Sequence, residues 1–81
     1  MKYKIWCKQN GRYFADGAEF HSLEEVREQL ISYHSIDCDE DSLKTQSLAD
    51  IVDGFEWEVH DEDGKEVSRE TLEAVNGSST K

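Results

Sequence analysis

Asp37, Asp39 and Asp41 alternate along the chain at the spacing of the first three ligands of a calcium-binding loop. That chemistry also needs a sharp turn at the sixth position and a bidentate carboxylate at the twelfth. Those positions hold Ser42 and Leu48 instead of glycine and glutamate, so the stretch Ser35–Asp41 reads as a solvated acidic loop. His34 and Cys38 are four apart and could supply half of a zinc site. The helix expected to carry His34 ends between them, a complete site would need Cys7 or His60 from elsewhere, and Cys7 points into the core, so no metal is expected. His21, His34 and His60 have no metal-ligand spacing with one another. No phosphate-binding glycine loop and no nucleophile elbow occurs. Nineteen carboxylates in 81 residues bring some pairs together by number alone, so closeness of two acids is no sign of acid–base catalysis. The expectation is a protein that is not an enzyme and uses no cofactor.

Recognition chemistry remains, in two places. The first is acidic: Asp37, Asp39, Glu40 and Asp41, then Asp61, Glu62 and Asp63. Between Asp37 and Asp63 the chain holds eleven acids and one base, Lys44. The second is aromatic and basic: Lys4, Trp6, Lys8 and Tyr13, in a segment with four of the nine basic residues. A net charge of −10 argues against direct binding of nucleic acid or an anionic membrane, both of which need lysine and arginine. It permits a basic protein partner, or mimicry of a nucleic acid in a basic groove. No apolar run approaches the ~20 residues that span a bilayer, and no signal-peptide pattern is present. Two cysteines are too few for a disulfide framework, which points to a reduced, cytoplasmic setting. Cys7 is expected in the core, and Cys38 among carboxylates that disfavour its thiolate.

The elements that must position these residues begin with a hairpin. Tyr3, Ile5 and Cys7 alternate with Lys4, Trp6 and Lys8, the period of a half-buried strand. Asn10-Gly11 suits a two-residue type I′ turn, which would set Lys8 opposite Tyr13, Cys7 opposite Phe14 and Trp6 opposite Ala15. The apolar set Tyr3, Ile5, Cys7 and Phe14 faces the core, since turning Trp6 inward would bury two lysines with it. Trp6 and Tyr13 therefore belong on the outer face, either covered by a later segment or open to a partner. If the strands of Trp6 and Trp57 are neighbours, which is the expected arrangement, cross-strand Lys–Glu pairs neutralise the basic strand.

Ser22 and Glu25 form a capping box before a helix over Leu23–His34. Its apolar stripe is Leu23, Val26, Leu30 and Tyr33, with Ile31 at the border and Arg27 near the solvent side. Ser47 caps a short helix over Leu48–Asp53 closed by Gly54; Leu43–Gln46 is ambiguous. Phe55, Trp57 and Val59 read as a strand. A three-residue loop Glu62–Gly64 with Gly64 left-handed returns the chain so that Val59 meets Val67 inside, with Asp61 and Lys65 flanking the turn. A last helix starts at Ser68 and stops at Asn76-Gly77, and residues 78–81 form a disordered tail.

The expected fold class is α+β: one domain over residues 1–77, with a small antiparallel sheet of two β-hairpins, about four strands in ββα-ββα-like order. One main helix packs on one face of that sheet, with short additional helices. The expected function is a small acidic interaction module, such as an inhibitor or nucleic-acid mimic of phage or prophage type, that binds a basic partner surface. The alternative is an accessory or scaffold protein, self-associating or not, that binds through the Lys4/Trp6/Lys8/Tyr13 face.

Overall fold

The computed structural model describes residues 2–76; the expected tail at 78–81 lies outside them, as does Gly77. The described residues form a three-stranded antiparallel sheet and four helices, in the order β1 (Tyr3–Cys7), β2 (Arg12–Tyr13), α1 (Leu23–His34), α2 (Glu40–Lys44), α3 (Leu48–Phe55), β3 (Trp57–Asp61) and α4 (Arg69–Glu73). The sheet order is β2-β1-β3, so β1 is central and the strands of Trp6 and Trp57 are neighbours, as expected.

The first hairpin differs from its expected register. Trp6 pairs with Tyr13 and Cys7 with Arg12, two residues away from the two-residue-turn alignment. The loop is Lys8–Gly11, closed by the Gly11 amide donating to the Cys7 carbonyl at 2.8 Å. Within it Gly11 alone has positive φ, +67°, whereas a type I′ turn would need Asn10 there as well. A slip of one residue would have turned every side chain over, but a slip of two keeps the faces. Trp6 and Tyr13 therefore still share the outer face, now as direct partners. Phe14 leaves the strand but packs against the core from the turn that follows.

The second hairpin turns where expected. The Asp61 amide donates to the Lys65 carbonyl and the Val67 amide to the Val59 carbonyl, both at 2.8 Å, with Gly64 at φ +83°. Its return arm is only a single bridge, His60 to Glu66, so the fourth strand and the ββα-ββα order are not found. The Asp61 carboxylate accepts the Asp63 and Lys65 amides at 2.9 and 3.0 Å, and so builds the turn.

Serine caps start three helices: Ser22 accepts from the Glu25 amide, Ser47 from Asp50 and Ser68 from Thr71. The capping box reaches one residue further back than the usual pattern, because the Glu25 carboxylate accepts from the His21 amide at 2.8 Å. Glu40 and Asp41, expected in a loop, open α2 instead. Helix α3 runs through Gly54 to Phe55, so Phe55 ends a helix and does not begin a strand. The helix is closed by Glu56 at φ 62°, ψ 48°, its amide donating to the Val52 carbonyl.

Ile5, Trp57 and Val59 from the inner face of the sheet pack with Val26, Leu30 and Ile31 of α1, Leu48, Ile51 and Val52 of α3, Leu43 and Leu72. Two expectations about α1 fail. Tyr33 is 50% exposed, outside the buried stripe, and Arg27 is 8% exposed. The Arg27 guanidinium donates to the Lys44 carbonyl at 2.7 Å and the Gln46 carbonyl at 3.0 Å. It thereby satisfies the C-terminal end of α2, where a cation also suits the helix dipole. Helix α4 docks on α3 through Leu72 and through the Leu48 amide, which donates to the Val75 carbonyl at 2.8 Å. Arg69 bridges Asp53 and Glu73 across the outside of that contact.

Ala15 (φ 51°) and Asp16 (φ 59°) are both left-handed and run into Gly17. A side chain beyond Cβ-less glycine costs about 1–2 kcal/mol in that region. Ala15→Gly is therefore expected to raise stability by about 0.5–1 kcal/mol, the relief less glycine's larger unfolded-state entropy. A urea midpoint unchanged or lowered at equal slope would contradict it.

Candidate functional site

Two surfaces carry the residues that sequence singles out for recognition. The outer face of the sheet displays alternate residues of β1 and β3. Lys4 lies opposite His60 and Trp6 opposite Glu58, so the expected Lys–Glu cross-strand pairs are replaced by Lys–His and Trp–Glu. Trp6 is half-buried, covered by its own sheet neighbours: its ring stacks on His60 (5.6 Å, 12°) and meets the edge of Tyr13 (5.0 Å, 79°). The Glu58 carboxylate lies 2.9 Å from His60 Nε2 and the Tyr13 hydroxyl 3.0 Å from Nδ1. A carboxylate can only accept, so Nε2 donates to Glu58, and in the neutral ring Nδ1 is then the acceptor for the Tyr13 hydroxyl. Lys4 Nζ sits 5.3 Å from the Tyr13 ring centroid. Lys8 is exposed at the strand end. Lys4, Trp6 and Tyr13 thus meet on one face, organised by His60 and Glu58, while Lys8 lies beyond β1 in the hairpin loop.

The acidic set divides in two. His34, at the end of α1, accepts a hydrogen bond at Nε2 from Trp57 Nε1 at 2.9 Å, which ties the α1–α2 corner to the start of β3. Asp37, Asp39, Glu40 and Asp41 belong to that corner and are exposed. Asp61, Glu62 and Asp63 form the turn at the other end of β3, about 13 Å away along a five-residue strand. There Asp61 is occupied by turn amides, and Glu62 accepts from the Lys2 amide at 3.0 Å. At the α1–α2 corner Glu40 pairs with Lys44 at 3.2 Å. The carboxylates of Asp37, Asp39 and Asp41 have no hydrogen-bond or ion-pair partner among the described residues.

That corner also holds the largest exposed apolar side chains, Tyr33 at 50% and Ile36 at 87%. Beside them opens a cleft of about 380 Å³, with Tyr33, His34, Phe55 and Trp57 on its walls and Asp37 at its rim. The rings are fixed against one another. His34 stacks on Phe55 at 3.6 Å and 14°, and Tyr33 meets Phe14, His34 and Trp57 edge-on. Burial pushes the His34 pKa below its ordinary 6.5, outweighing the Asp37 carboxylate, which raises it. A larger cleft of about 470 Å³ lies between α1 and α2, with Arg27, Glu28, Ser32, Glu40 and Lys44 around it. Its cations are already engaged, Arg27 by carbonyls and Lys44 by Glu40.

Among the described residues no group of three or more His, Cys, Asp or Glu side chains is placed to hold a metal ion. His34 serves as acceptor for Trp57, and Cys38 packs half-buried against the core. Cys7, also half-buried, borders the aromatic cleft, and both thiols are free. No helix among the described residues is long and apolar enough to cross a membrane. No protein-family model, curated protein or solved structure matches the chain. The geometry thus defines a small α+β domain with two built surfaces, one aromatic and hydrogen-bonded on the open sheet face, the other acidic and apolar at the α1–α2 corner.

Sequence reasoning missed Tyr33 and Ile36 as exposed residues and Phe55 as a half-buried wall of the cleft. Tyr33 and Phe55 sit in apolar patterns that suggest burial. Ile36, an isolated apolar residue in an acidic loop, was the one available signal.

Proposed function

We propose that this chain is a non-enzymatic interaction module that binds a basic protein surface through the α1–α2 corner. The observation that supports this most is the coincidence of exposed carboxylates with exposed apolar side chains: Asp37, Asp39 and Asp41 follow within five positions of Ile36, the most exposed large apolar residue described. Carboxylates alone make a protein soluble. Carboxylates around an apolar anchor offer a partner both charge steering and a desolvated contact. A net charge of −10 selects for partners of opposite sign, including proteins with nucleic-acid-binding grooves.

A second reading rests on the other face. Trp6, Tyr13 and His60 form an ordered aromatic cluster on the side of the sheet that contributes nothing to the core, and such rings anchor accessory or scaffold contacts, self-association included.

One experiment separates the two. A partner captured on the immobilised protein at low salt should be released at about 1 M salt, where screening acts beyond about 3 Å. Ile36→Ser and Asp37→Asn should each weaken capture, while Trp6→Ala leaves it intact. Capture that ignores salt sinks the first reading. Loss with Trp6→Ala alone, in a variant whose unfolding transition is retained, transfers the function to the sheet face.

A further inference from the structure

The aromatic cleft at the α1–α2 corner contains a glycine that the fold does not need. Gly54 lies within α3, where glycine is a poor helix former relative to alanine. It does not occupy the left-handed region, and a Cβ built on it meets nothing within 4 Å. Neither backbone conformation nor packing inside this chain therefore calls for glycine at this position. Gly54 does line the cleft, and a Cβ there would stand in open space.

The walls have one chemical character. Tyr33 and Phe55 present partly exposed rings, held in place by edge-on and stacked contacts with their neighbours. The proton of neutral His34 is on Nδ1, since Nε2 accepts from Trp57. Gln9 and Asn10, from the loop of the first hairpin, close one side with neutral amides. Asp37 is the one lining residue that carries a full charge, and its carboxylate has no hydrogen-bond partner among the described residues. Aromatic rings beside a single free carboxylate suit a planar cation.

We infer that this cleft receives the guanidinium group of an arginine side chain on the basic partner, an inference that rests on the acidic-corner reading above. The guanidinium stacks against Tyr33 or Phe55 while its N–H groups donate to the Asp37 carboxylate. Arginine fits better than lysine because its cation is planar, more weakly hydrated and able to meet a carboxylate with two parallel bonds. Gly54 leaves room for the aliphatic stem that precedes it. Ile36, next to Asp37 in the chain, contacts the apolar neighbours of that arginine.

The test is an NMR titration of the full chain with a tri-arginine peptide amide, with tri-lysine and tri-citrulline amides as controls. Arginine should move the amides of Tyr33, Gly54 and Phe55 and the Trp57 indole N–H. It should bind about tenfold more tightly than citrulline, which keeps the shape without the charge, and measurably more tightly than lysine. Asp37→Asn should weaken binding by about tenfold. Gly54→Ala and Gly54→Leu, both open to solvent in the free protein, should keep the native spectrum elsewhere, with the leucine variant losing the cleft shifts. Equal binding of citrulline and arginine overturns the inference, as does wild-type binding by Gly54→Leu. Shifts confined to Asp39–Asp41 overturn it while leaving the acidic-corner reading in place. Shifts centred on Trp6 and Tyr13 overturn both.

Discussion

Arg27→Ala is expected to lower the unfolding free energy by about 3 kcal/mol, a large share of the roughly 4–12 kcal/mol that a domain of this size possesses. The guanidinium donates to the carbonyls of Lys44 and Gln46, which have no other donor among the described residues. Hydrogen bonds from a charged donor contribute about 1.5–3 kcal/mol each, and a buried acceptor stripped of its donor adds a desolvation cost. The loss should be local before it is global, with amides of α2 and of the link to α3 exchanging faster. Arg27→Met keeps the apolar stem and removes only the donors, so it should recover part of the loss and leave about 2 kcal/mol. Urea unfolding of both variants decides the matter. A methionine variant as stable as the parent would mean that Arg27 acts by packing alone.

Trp57→Ala should cost about 4 kcal/mol, within the range for deleting a buried tryptophan. Trp57 is 7% exposed and joins the sheet to α1 through its bond to His34. That bond also sets a pH dependence. A protonated His34 has no lone pair at Nε2 to accept the indole N–H, and burial lowers its pKa from 6.5. The unfolded chain thus takes up the proton more readily than the native one. His34 contributes its full stabilisation above about pH 6.5 and loses it as the pH falls below that value. The difference in unfolding free energy between the parent and His34→Gln should shrink from pH 7.5 toward pH 5, with both measured in urea. A constant difference across that range would show that His34 does not titrate against the Trp57 bond.

The parts of this fold that sequence makes legible are those fixed by local chemistry. Serine caps at Ser22, Ser47 and Ser68 each announce a helix because a hydroxyl two or three residues before an orphan amide is a local arrangement. The turn at Glu62–Gly64 follows from requiring Val59 and Val67 on one side. The first hairpin shows the limit of that reasoning. Facing rules reject a slip of one residue but are blind to a slip of two, and Asn10-Gly11 suggested the shorter loop. Arg27 illustrates a different limit: its partners are main-chain carbonyls seventeen and nineteen residues away, and a carbonyl has no sequence signature. Gly54 suggested a helix end, yet Glu56 takes the left-handed position two residues later. At the candidate surfaces, the residues of the open sheet face follow from alternation alone. His60 and Glu58, which bind that face together, depend on strand order, which alternation does not encode. The aromatic cleft needs β1 with its hairpin loop, α1, α3 and β3 to meet, and so it becomes visible only in the folded chain.

The central position of β1 has a consequence for how the chain acquires its structure. The longest ladder joins β1 to β3, pairing Cys7 with Trp57 and Tyr3 with Asp61, across fifty or more positions of sequence. The short ladder to β2 is local but only two residues long. Closing the long loop is an entropic cost that must be met before its contacts reward it, so the capped helices precede the sheet. During synthesis β1 leaves the ribosome before β3 and stays without its main partner until residues 57–61 follow. In that interval the edge of β1 that β3 will pair is open, with Lys4 in the strand and Lys8 just past its end. Lysines spaced this way discourage pairing with another chain. The lysines of this segment, in an otherwise acidic chain, therefore guard the strand edge whose partner lies farthest along the sequence.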